Sequence, residues 1–479
     1  RIEHAPEIDI SSVPAGGEDD SFAGAYAKGF AFVFDHHALH CARFGFFPYQ
    51  AGHAVFEQYP CAFLARTGLQ CAHDARTIAL PARRNDLAGN RPLHRKEGAR
   101  HGRGLLRPHQ FLDQLDTVLK QKIEGLGFKV IELEHGVRTK LKNNLHINIL
   151  AADNCDPTIC GNLMGCVMLE TKYQTTQIDT MAVFDNENHV IVNTNDCPFD
   201  IGKNTASIIK STYGKVDFLL VGYVAASSWP HCYHMTENEK LEQARLKAVK
   251  KLETTKKYVE IFESRFYLPF AGRYTLSGKN YTLNQYRGEP ELEDAFDWMS
   301  KNIPQKYQGL LLNNDCWFDL DTQTANKNYT PIDRQHKKEF TEEILSQKKF
   351  PYEYDPKPSA SQILTQIPRA YENFEKVRKK IQWNSKTMIV LNTKDCNDED
   401  LFVAISCDGS GYKQINIDEV SKIENYMGIE LDIRLLNWLL IGPHKAHWGN
   451  ADLGSHLHYK RIGSVYKRGL FYCWNNFHN

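Results

Sequence analysis

The feature that most constrains this fold is a pair of buried-strand patterns followed by a long amphipathic helix. The β-branched run 189–193 leads to Asp196, and the run 216–222 repeats the buried pattern. A helix is predicted over 238–264, with an apolar stripe formed by Leu241, Ala244, Ala248, Leu252, Val259 and Phe262. A further strand pattern ends at 269–272. This alternation predicts an α/β fold in which Asp196 lies at the edge of a sheet.

Other periodic stretches extend the predicted α/β pattern. Strands are predicted over 129–133, 145–150, 162–169, 180–184, 387–392, 401–406 and 412–417. Helices are predicted over 111–123, 361–382, 432–440 and 464–477. The region 290–360 contains several prolines, so we expect it to be rich in loops and to link two domains.

The first 110 residues differ in composition from the rest of the chain. They contain 11 Arg and 2 Lys, whereas residues 111–479 contain 11 Arg and 34 Lys. They also hold 9 of the 20 His and no Met. We interpret this change in composition as a sign that the segment has a different coding origin, such as a fused or misframed reading. We also predict that the segment is poorly ordered or loosely packed. Peptides from residues 1–110 in mass spectra of the native protein would contradict the different origin.

Charge and cysteine content narrow the class of protein. The 58 basic and 58 acidic residues cancel, which does not favour a nucleic-acid-binding or membrane-surface protein. No apolar stretch is long enough to span a bilayer, and the start of the chain lacks the apolar core of a signal peptide. The 12 cysteines include no Cys-x-x-Cys pair. We therefore expect reduced thiols and a cytoplasmic location.

Several short strings carry a family resemblance. They are Asn193-Thr194-x-Asp196-Cys197, Ser227-Ser228-Trp229-Pro230, the run 267–274 and Leu283-Asn284-Gln285-Tyr286-Arg287-Gly288. In this order they resemble the metallo-β-lactamase superfamily, in its branch of CMP-N-acetylneuraminate hydroxylase-like and L-ascorbate-6-phosphate lactonase-like proteins. The resemblance covers residues 125–479 and leaves out the first 110.

This resemblance implies an αββα metallo-β-lactamase-like sandwich with an atypical N-terminal part and a smaller C-terminal α/β module. The implied boundaries are 1–110 for the atypical segment, 111–300 for the sandwich, 301–360 for a linker or extension, and 361–479 for the C-terminal module. The resemblance also implies one or two ions of Zn²⁺ or Fe at a sheet edge. Asp196 is the metal ligand that it assigns.

The other metal ligands of the family are not found in this sequence. The His-x-His-x-Asp-His motif is absent, and the run 35–40 has the wrong spacing because adjacent histidines point to opposite sides. Gln174 to Gln177 stand where a further histidine is expected. Cys71 and His73 supply half of a Rieske motif, and no Cys-x-x-His follows. We therefore do not expect hydroxylation by the route of the family.

Two other groups of side chains leave alternatives open. His444, His447, His456 and His458 either bind a metal or are polar residues packed beside Trp448. Cys155, Cys160 and Cys166 are either a thiolate site or unrelated thiols. The second interpretation is favoured in both cases.

The sequence predicts two functions of different kinds. The first is a metal-dependent hydrolase that acts on a sugar-phosphate or nucleotide-sugar type small molecule. Asp196 would ligate the metal, Trp229 and His231 would shape the pocket, and Tyr274 or Arg287 would contact an anionic group. The alternative is a non-catalytic ligand- or lipid-binding protein, since the C-terminal module is similar to a sterol-carrier-type lipid-binding module. Neither function requires nucleic acid or a membrane span.

Overall fold

The computed structural model describes residues 54–56, 77–82, 121, 123–152, 180–270, 273–314, 316–463 and 468–479, the first two ranges as backbone only. Several predictions lie outside these residues: most of the segment 1–110 and of the helix 111–123, the strand 162–169, the cysteines of 155–166, Gln174 to Gln177 and the start of the helix 464–477. Within the described part of the chain, no helix is both long enough and apolar enough to cross a membrane.

The first part of the fold is built on a seven-stranded sheet. Its elements and their neighbours are β1 (Ala54–Phe56), β2 (Thr77–Ala82), β3 (Lys129–Glu134), β4 (Thr139–Lys142), β5 (Leu145–Ala151), β6 (Thr180–Asp185), β7 (Val190–Asn193), α1 (Phe199–Tyr213), β8 (Phe218–Gly222), α2 (Glu237–Phe262), β9 (Phe266–Phe270), β10 (Tyr274–Leu276), a 3-10 helix (Gly278–Tyr286), α3 (Leu292–Asn302) and β11 (Gln308–Gly309). The sheet order is β11-β9-β8-β7-β6-β5-β4. The strands β7, β8, β9 and β11 are parallel, and the others pair antiparallel. Outside this sheet, β1 pairs with β10 and β2 pairs with β3.

Alternating side chains give this sheet two different faces. Met181 and Val183 of β6 are fully buried in the same cluster as apolar residues of α1 and α2. Ala182, between them, belongs to a cluster on the opposite face together with Leu133 of β3. A helix layer therefore covers one face of the sheet, and part of a β-ladder packs against the other.

The helix α2 follows the predicted stripe except near its start. Thr236 caps it with a capping box that includes Glu239, and Leu252, Val259 and Phe262 are buried. Leu241, however, is 44% exposed, so its predicted place in the core is wrong. With 26 residues, α2 is about 39 Å long, whereas the five-residue strand β8 spans about 17 Å. The helix is longer than the sheet that it covers, so not all of its stripe meets the core.

The C-terminal part contains a five-stranded sheet. The elements of this half are β12 (Phe318–Asp319), β13 (Thr324–Ala325), α4 (Arg334–Phe340), a π-helix (Thr341–Leu345), a 3-10 helix (Pro351–Tyr354), α5 (Ala360–Leu364), α6 (Ile367–Lys380), β14 (Met388–Lys394), β15 (Asp400–Ser406), β16 (Tyr412–Ile415), α7 (Ile417–Val420), β17 (Tyr426–Glu430), α8 (Ile433–Ile441), α9 (Trp448–Leu453), β18 (His458–Ile462) and α10 (Arg468–Trp474). The sheet order is β16-β15-β14-β17-β18, in which β14 and β17 are parallel.

The helix predicted over 361–382 is in fact two helices, α5 and α6. Pro368 lies in the first turn of α6. A proline has no backbone N–H and its ring clashes with the preceding turn, so the helix restarts there instead of continuing.

The predicted α/β class is confirmed, with a smaller C-terminal α/β module after the larger sheet. The predicted boundaries at residues 110, 300 and 360 and the cytoplasmic location stay predictions.

Candidate ligand-binding site

Asp196 lies in the turn that follows β7, at the carboxyl edge of the parallel strands, and its residue is exposed. Side chains hold this turn in place. The Asn195 backbone N–H donates to Asn193 Oδ1 at 2.8 Å, and the Asn195 side-chain amide donates to the carbonyl of Thr180 at 3.0 Å. Asn195 has a φ of +49°, a conformation that asparagine tolerates better than most residues. The sequence-predicted position of Asp196 at a sheet edge therefore agrees with the structure.

The described residues do not fit a zinc or iron site. No group of three or more His, Cys, Asp or Glu side chains that could hold a metal ion occurs among them. A stable zinc site needs three or four such ligands, and one exposed carboxylate is not enough. No chemical step through a metal follows from the described part of the chain.

Of the four C-terminal histidines, His447 and His456 are packed within the module, whereas His444 is exposed. His447 precedes α9, and its Nδ1 accepts a hydrogen bond from the Gly449 N–H at 3.1 Å. The ring of His456 packs edge-on against Phe350 at 4.5 Å. Burial lowers the pKa of His447 to about 4 and that of His456 to about 3. Both imidazoles are therefore neutral near pH 7, as expected for buried histidines without a charged partner.

The loop that follows β8 carries two of the predicted site residues, and we call residues 227–234 the junction loop. Trp229 is half-buried and its peptide bond to Pro230 is cis. His231 is fully buried, and its Nε2 lies 2.7 Å from the hydroxyl of Ser455 in the C-terminal module. Burial holds the pKa of His231 well below its usual range.

Two of the four predicted substrate residues contact one lysine, and a third packs against one of them. Lys247 of α2 donates hydrogen bonds from Nζ to the carbonyls of Trp229 at 3.0 Å and Arg287 at 2.8 Å. Arg287 pairs with Glu289 at 3.0 Å, and its guanidinium lies 4.9 Å from the centre of the Tyr274 ring. We call Lys247, Tyr274, Arg287 and Glu289 the Lys247 cluster.

The charges of the Lys247 cluster are almost entirely withdrawn from water. The side chains of Arg287 and Glu289 are 2% and 0% exposed, and Lys247 Nζ is 4.0 Å from Glu289 Oε1. Burial lowers the pKa of Lys247 to about 8 and raises the pKa of Glu289. Burial also raises the pKa of Tyr274 well above its usual range. Perturbed ionisable groups of this kind are typical of functional sites, although structural ion pairs also produce them.

A glycine allows this cluster to form against α2. Gly288 has a φ of +71°, and a Cβ added there would lie 2.6 Å from the carbonyl oxygen of Ala244. Only a residue without a side chain permits this approach between the two backbones. Arg287 and Glu289 are thereby brought to the face of α2 that carries Lys247.

Lys247 was not among the site residues predicted from the sequence. A signal was present, because Lys247 follows Ala244 by three residues and therefore falls on the buried stripe of α2. A charged residue on an apolar stripe is uncommon, since burial of an unpaired charge is costly.

Comparisons with known proteins identify no family for this chain and find solved structures that are only partly similar to it. No family model matches the chain, and no curated protein matches it. Two solved structures are similar in part: CmlA, a diiron β-hydroxylase from Streptomyces venezuelae, and a point mutant of the CmlA β-hydroxylase. Each is 14% identical with a TM-score of 0.25 and covers 40% of this chain. This chain spans only 36% and 35% of their lengths, so nothing about its activity follows from them.

Proposed function

We propose that this protein binds an anionic small molecule, of the sugar-phosphate or nucleotide-sugar type, at the Lys247 cluster. The observation that carries the proposal is that Trp229 and Arg287 both contact Lys247, while Tyr274 packs against Arg287, although these residues come from separate segments of the chain. Two cations, Lys247 and Arg287, face the single carboxylate of Glu289. An anionic ligand group would balance the remaining positive charge, and Trp229, which is partly exposed, offers an aromatic surface on the solvent side.

The position of the cluster supports a binding role. It lies beside the loops that follow β8 and β9, at the carboxyl ends of parallel strands. In open α/β sheets, ligands bind in the crevice outside these strand ends.

Calorimetric titration tests this proposal with glucose 6-phosphate and UDP-glucose as anionic probes and glucose as the uncharged control. We expect a phosphorylated probe to bind and glucose not to bind. Replacing Lys247 by Met should weaken binding about tenfold or more, because a charge-assisted hydrogen bond contributes about 1.5–3 kcal/mol. Lys250→Met is the matched control, since Lys250 is an exposed lysine of the same helix.

Two outcomes would count against the proposal. One is a wild-type protein that binds neither anionic probe. The other is equal binding by the Lys247→Met and Lys250→Met variants, because the cluster would then not contact the ligand.

Metal-dependent hydrolysis is the second candidate function, favoured by the exposed carboxylate of Asp196 at a sheet edge. Residues 152 and 180, which flank an undescribed stretch, lie at that same edge, so additional ligands would have to come from outside the described residues. Metal analysis of the wild type and of Asp196→Ala tests this candidate. It predicts about one or two bound ions in the wild type and fewer in the variant. A metal-free wild type with an intact fold would exclude it.

Lipid binding by the C-terminal module stays a prediction. Trp474 and Phe477 stack at 4.4 Å and pack with Trp448 in the core between helices and sheet. The protein's own aromatic side chains thus occupy this space, which does not favour a lipid cavity there.

A further inference from the structure

We infer that the C-terminal module positions the junction loop, so that Asp452 and Ser455 are positioning residues for the ligand-binding site. The expected effect on ligand binding rests on the proposed function, whereas the expected effect on the structure of the junction loop does not. The residues involved lie more than 220 positions apart in sequence, and no local pattern joins them.

The first connection is a buried hydrogen bond between the two parts of the protein. The hydroxyl of Ser228 donates to Asp452 Oδ1 at 2.5 Å, and the hydroxyl of Tyr459 donates to the same oxygen at 2.8 Å. Burial raises the pKa of Asp452, and the bonds from Ser228 and Tyr459 oppose that rise. A buried carboxylate is costly unless it accepts such bonds, so Ser228 is held in place by the requirement to satisfy Asp452.

The second connection is made by Ser455, which follows α9. Its hydroxyl lies 2.7 Å from His231 Nε2, and its carbonyl accepts a hydrogen bond from the Asn280 side chain at 2.7 Å. Ser455 has a φ of +62°, an uncommon conformation for serine. Surrounding contacts are needed to maintain such a backbone, and His231 and Asn280 supply two of them.

The third connection is strand pairing between the junction loop and β18. The His234 N–H donates to the carbonyl of Tyr459 at 2.8 Å, and the Tyr459 N–H donates to the carbonyl of Cys232 at 2.8 Å. The rings of Tyr233 and Tyr459 stack at 4.9 Å. The junction loop thus extends the five-stranded sheet beyond its β18 edge.

These connections reach Trp229, the partly exposed aromatic residue of the proposed site. Its ring lies 4.8 Å from that of Tyr233 and 5.4 Å from the guanidinium of Arg461 on β18. Arg461 also donates a hydrogen bond to the Tyr233 hydroxyl at 3.0 Å. One side of the Trp229 ring is therefore supported by the C-terminal module, while the Trp229 carbonyl is held by Lys247.

Hydrogen exchange of the full-length protein tests the inference. Ser228→Ala removes the bond from the junction loop to Asp452, and Tyr459→Phe removes the matched bond to the same oxygen from within the C-terminal module. The amides of Cys232 and Tyr233, which bond within the junction loop, report its opening. We expect these amides to exchange about tenfold faster in Ser228→Ala than in Tyr459→Phe at matched global stability. Asp452→Asn keeps an acceptor oxygen, so the exchange rates of these amides should stay close to those of the wild type.

Binding of glucose 6-phosphate and UDP-glucose supplies the second readout. We expect the Kd for a bound probe to rise in Ser228→Ala and to remain near the wild-type value in Tyr459→Phe and Asp452→Asn. Ser455→Ala, which removes the hydroxyl beside His231, is the second variant if Ser228→Ala does not fold.

The outcomes separate this inference from the proposed function. Equal exchange in Ser228→Ala and Tyr459→Phe overturns the inference, whether or not a ligand binds. Faster exchange in Ser228→Ala than in Tyr459→Phe supports the inference. If the wild type then binds neither probe, only the proposed function fails. Faster exchange with an unchanged Kd for a bound probe would overturn the positioning of the ligand site.

Discussion

The imidazole of His231 lies 2.7 Å from the hydroxyl of Ser455, and both residues are fully buried although 224 positions separate them. The pair connects the loop after β8 with the segment between α9 and β18. Because burial disfavours the charged form of His231, protonation would place a positive charge in the protein interior beside this contact. This property makes the junction between the two parts of the protein sensitive to acid.

We predict that the protein loses stability as pH falls below about 6.5, the usual pKa of an unfolded histidine. The folded-state pKa of His456 is lowered to about 3, so between these values the unfolded chain binds a proton that the folded chain does not. At pH 5 this difference in proton binding lowers the free energy of unfolding by about 2 kcal/mol for such a histidine. Urea unfolding of wild type and His456→Gln at pH 7.5 and pH 5 measures it.

The variant should lose about 2 kcal/mol less than the wild type over that interval. His336→Gln, at an exposed position of α4, should follow the wild type. An equal loss in His456→Gln and wild type would show that His456 is not the buried neutral group described here.

A second prediction concerns Lys247 and applies at alkaline pH instead of acidic pH. Its folded-state pKa is lowered to about 8, against about 10.4 in an unfolded chain, so the unfolded state binds more protons between these values. The stability of the wild type should therefore rise with pH across this range. From pH 7.5 to 9.5 the expected gain is about 2 kcal/mol relative to Lys247→Met, which cannot titrate. Parallel unfolding slopes of the two proteins would contradict the burial of this charge.

Packing of α2 gives a matched pair of leucine substitutions. Leu252 is 4% exposed within the core, whereas Leu241 is 44% exposed. Leu252→Ala should lower the free energy of unfolding by about 2–5 kcal/mol, since it removes apolar contacts and leaves a cavity. Leu241→Ala should change it by no more than about 0.5 kcal/mol. Chemical denaturation compares the two, and similar losses would mean that the sequence-predicted stripe is correct after all.

Two glycines with similar positive φ values allow the cost of the backbone conformation to be compared with the cost of a close contact. Gly214 and Gly288 have φ values of +67° and +71°, but only Gly288 has backbone atoms within reach of an added Cβ. Gly214→Ala should cost about 1–3 kcal/mol for its sparsely populated positive-φ backbone alone. Gly288→Ala should cost more, because its Cβ would contact the Ala244 carbonyl. Equal changes in the free energy of unfolding would argue against the close approach of residues 287–289 to α2.

The sequence was informative where local periodicity and tertiary burial coincide. The strand ending before Asp196 and the strand 218–222 were both predicted from their apolar runs. Every residue of 218–222 is buried, as expected for a parallel strand covered on both faces, whereas only Val192 is buried in the other strand. The helix over 361–382 was predicted as one element, but Pro368 lacks a backbone N–H and lies in the first turn of a second helix. The place of Leu241 was wrong because helical periodicity identifies an apolar face and not how far the sheet extends beneath it.

The candidate site was predicted in part for a similar reason. Trp229, His231, Tyr274 and Arg287 were selected from the sequence. Trp229 and Arg287 contact Lys247, and Tyr274 packs against Arg287. Lys247 itself was not selected, since a lysine on a long charged helix is usually exposed. Its burial depends on Gly288, which lies more than forty positions away and allows close contact with α2.

The α/β class, the position of Asp196 after a strand, and the order of most strands and helices could be predicted from the amino-acid sequence. These features follow from local patterns, because the period of apolar residues and the turn-forming residues act over only a few positions. The meeting of Ser228 and His231 with Asp452 and Ser455, and the burial of Lys247 beside Arg287 and Glu289, are seen in the folded structure alone. Contacts across such separations depend on how whole sheets and helices pack, and no local pattern in the chain encodes them.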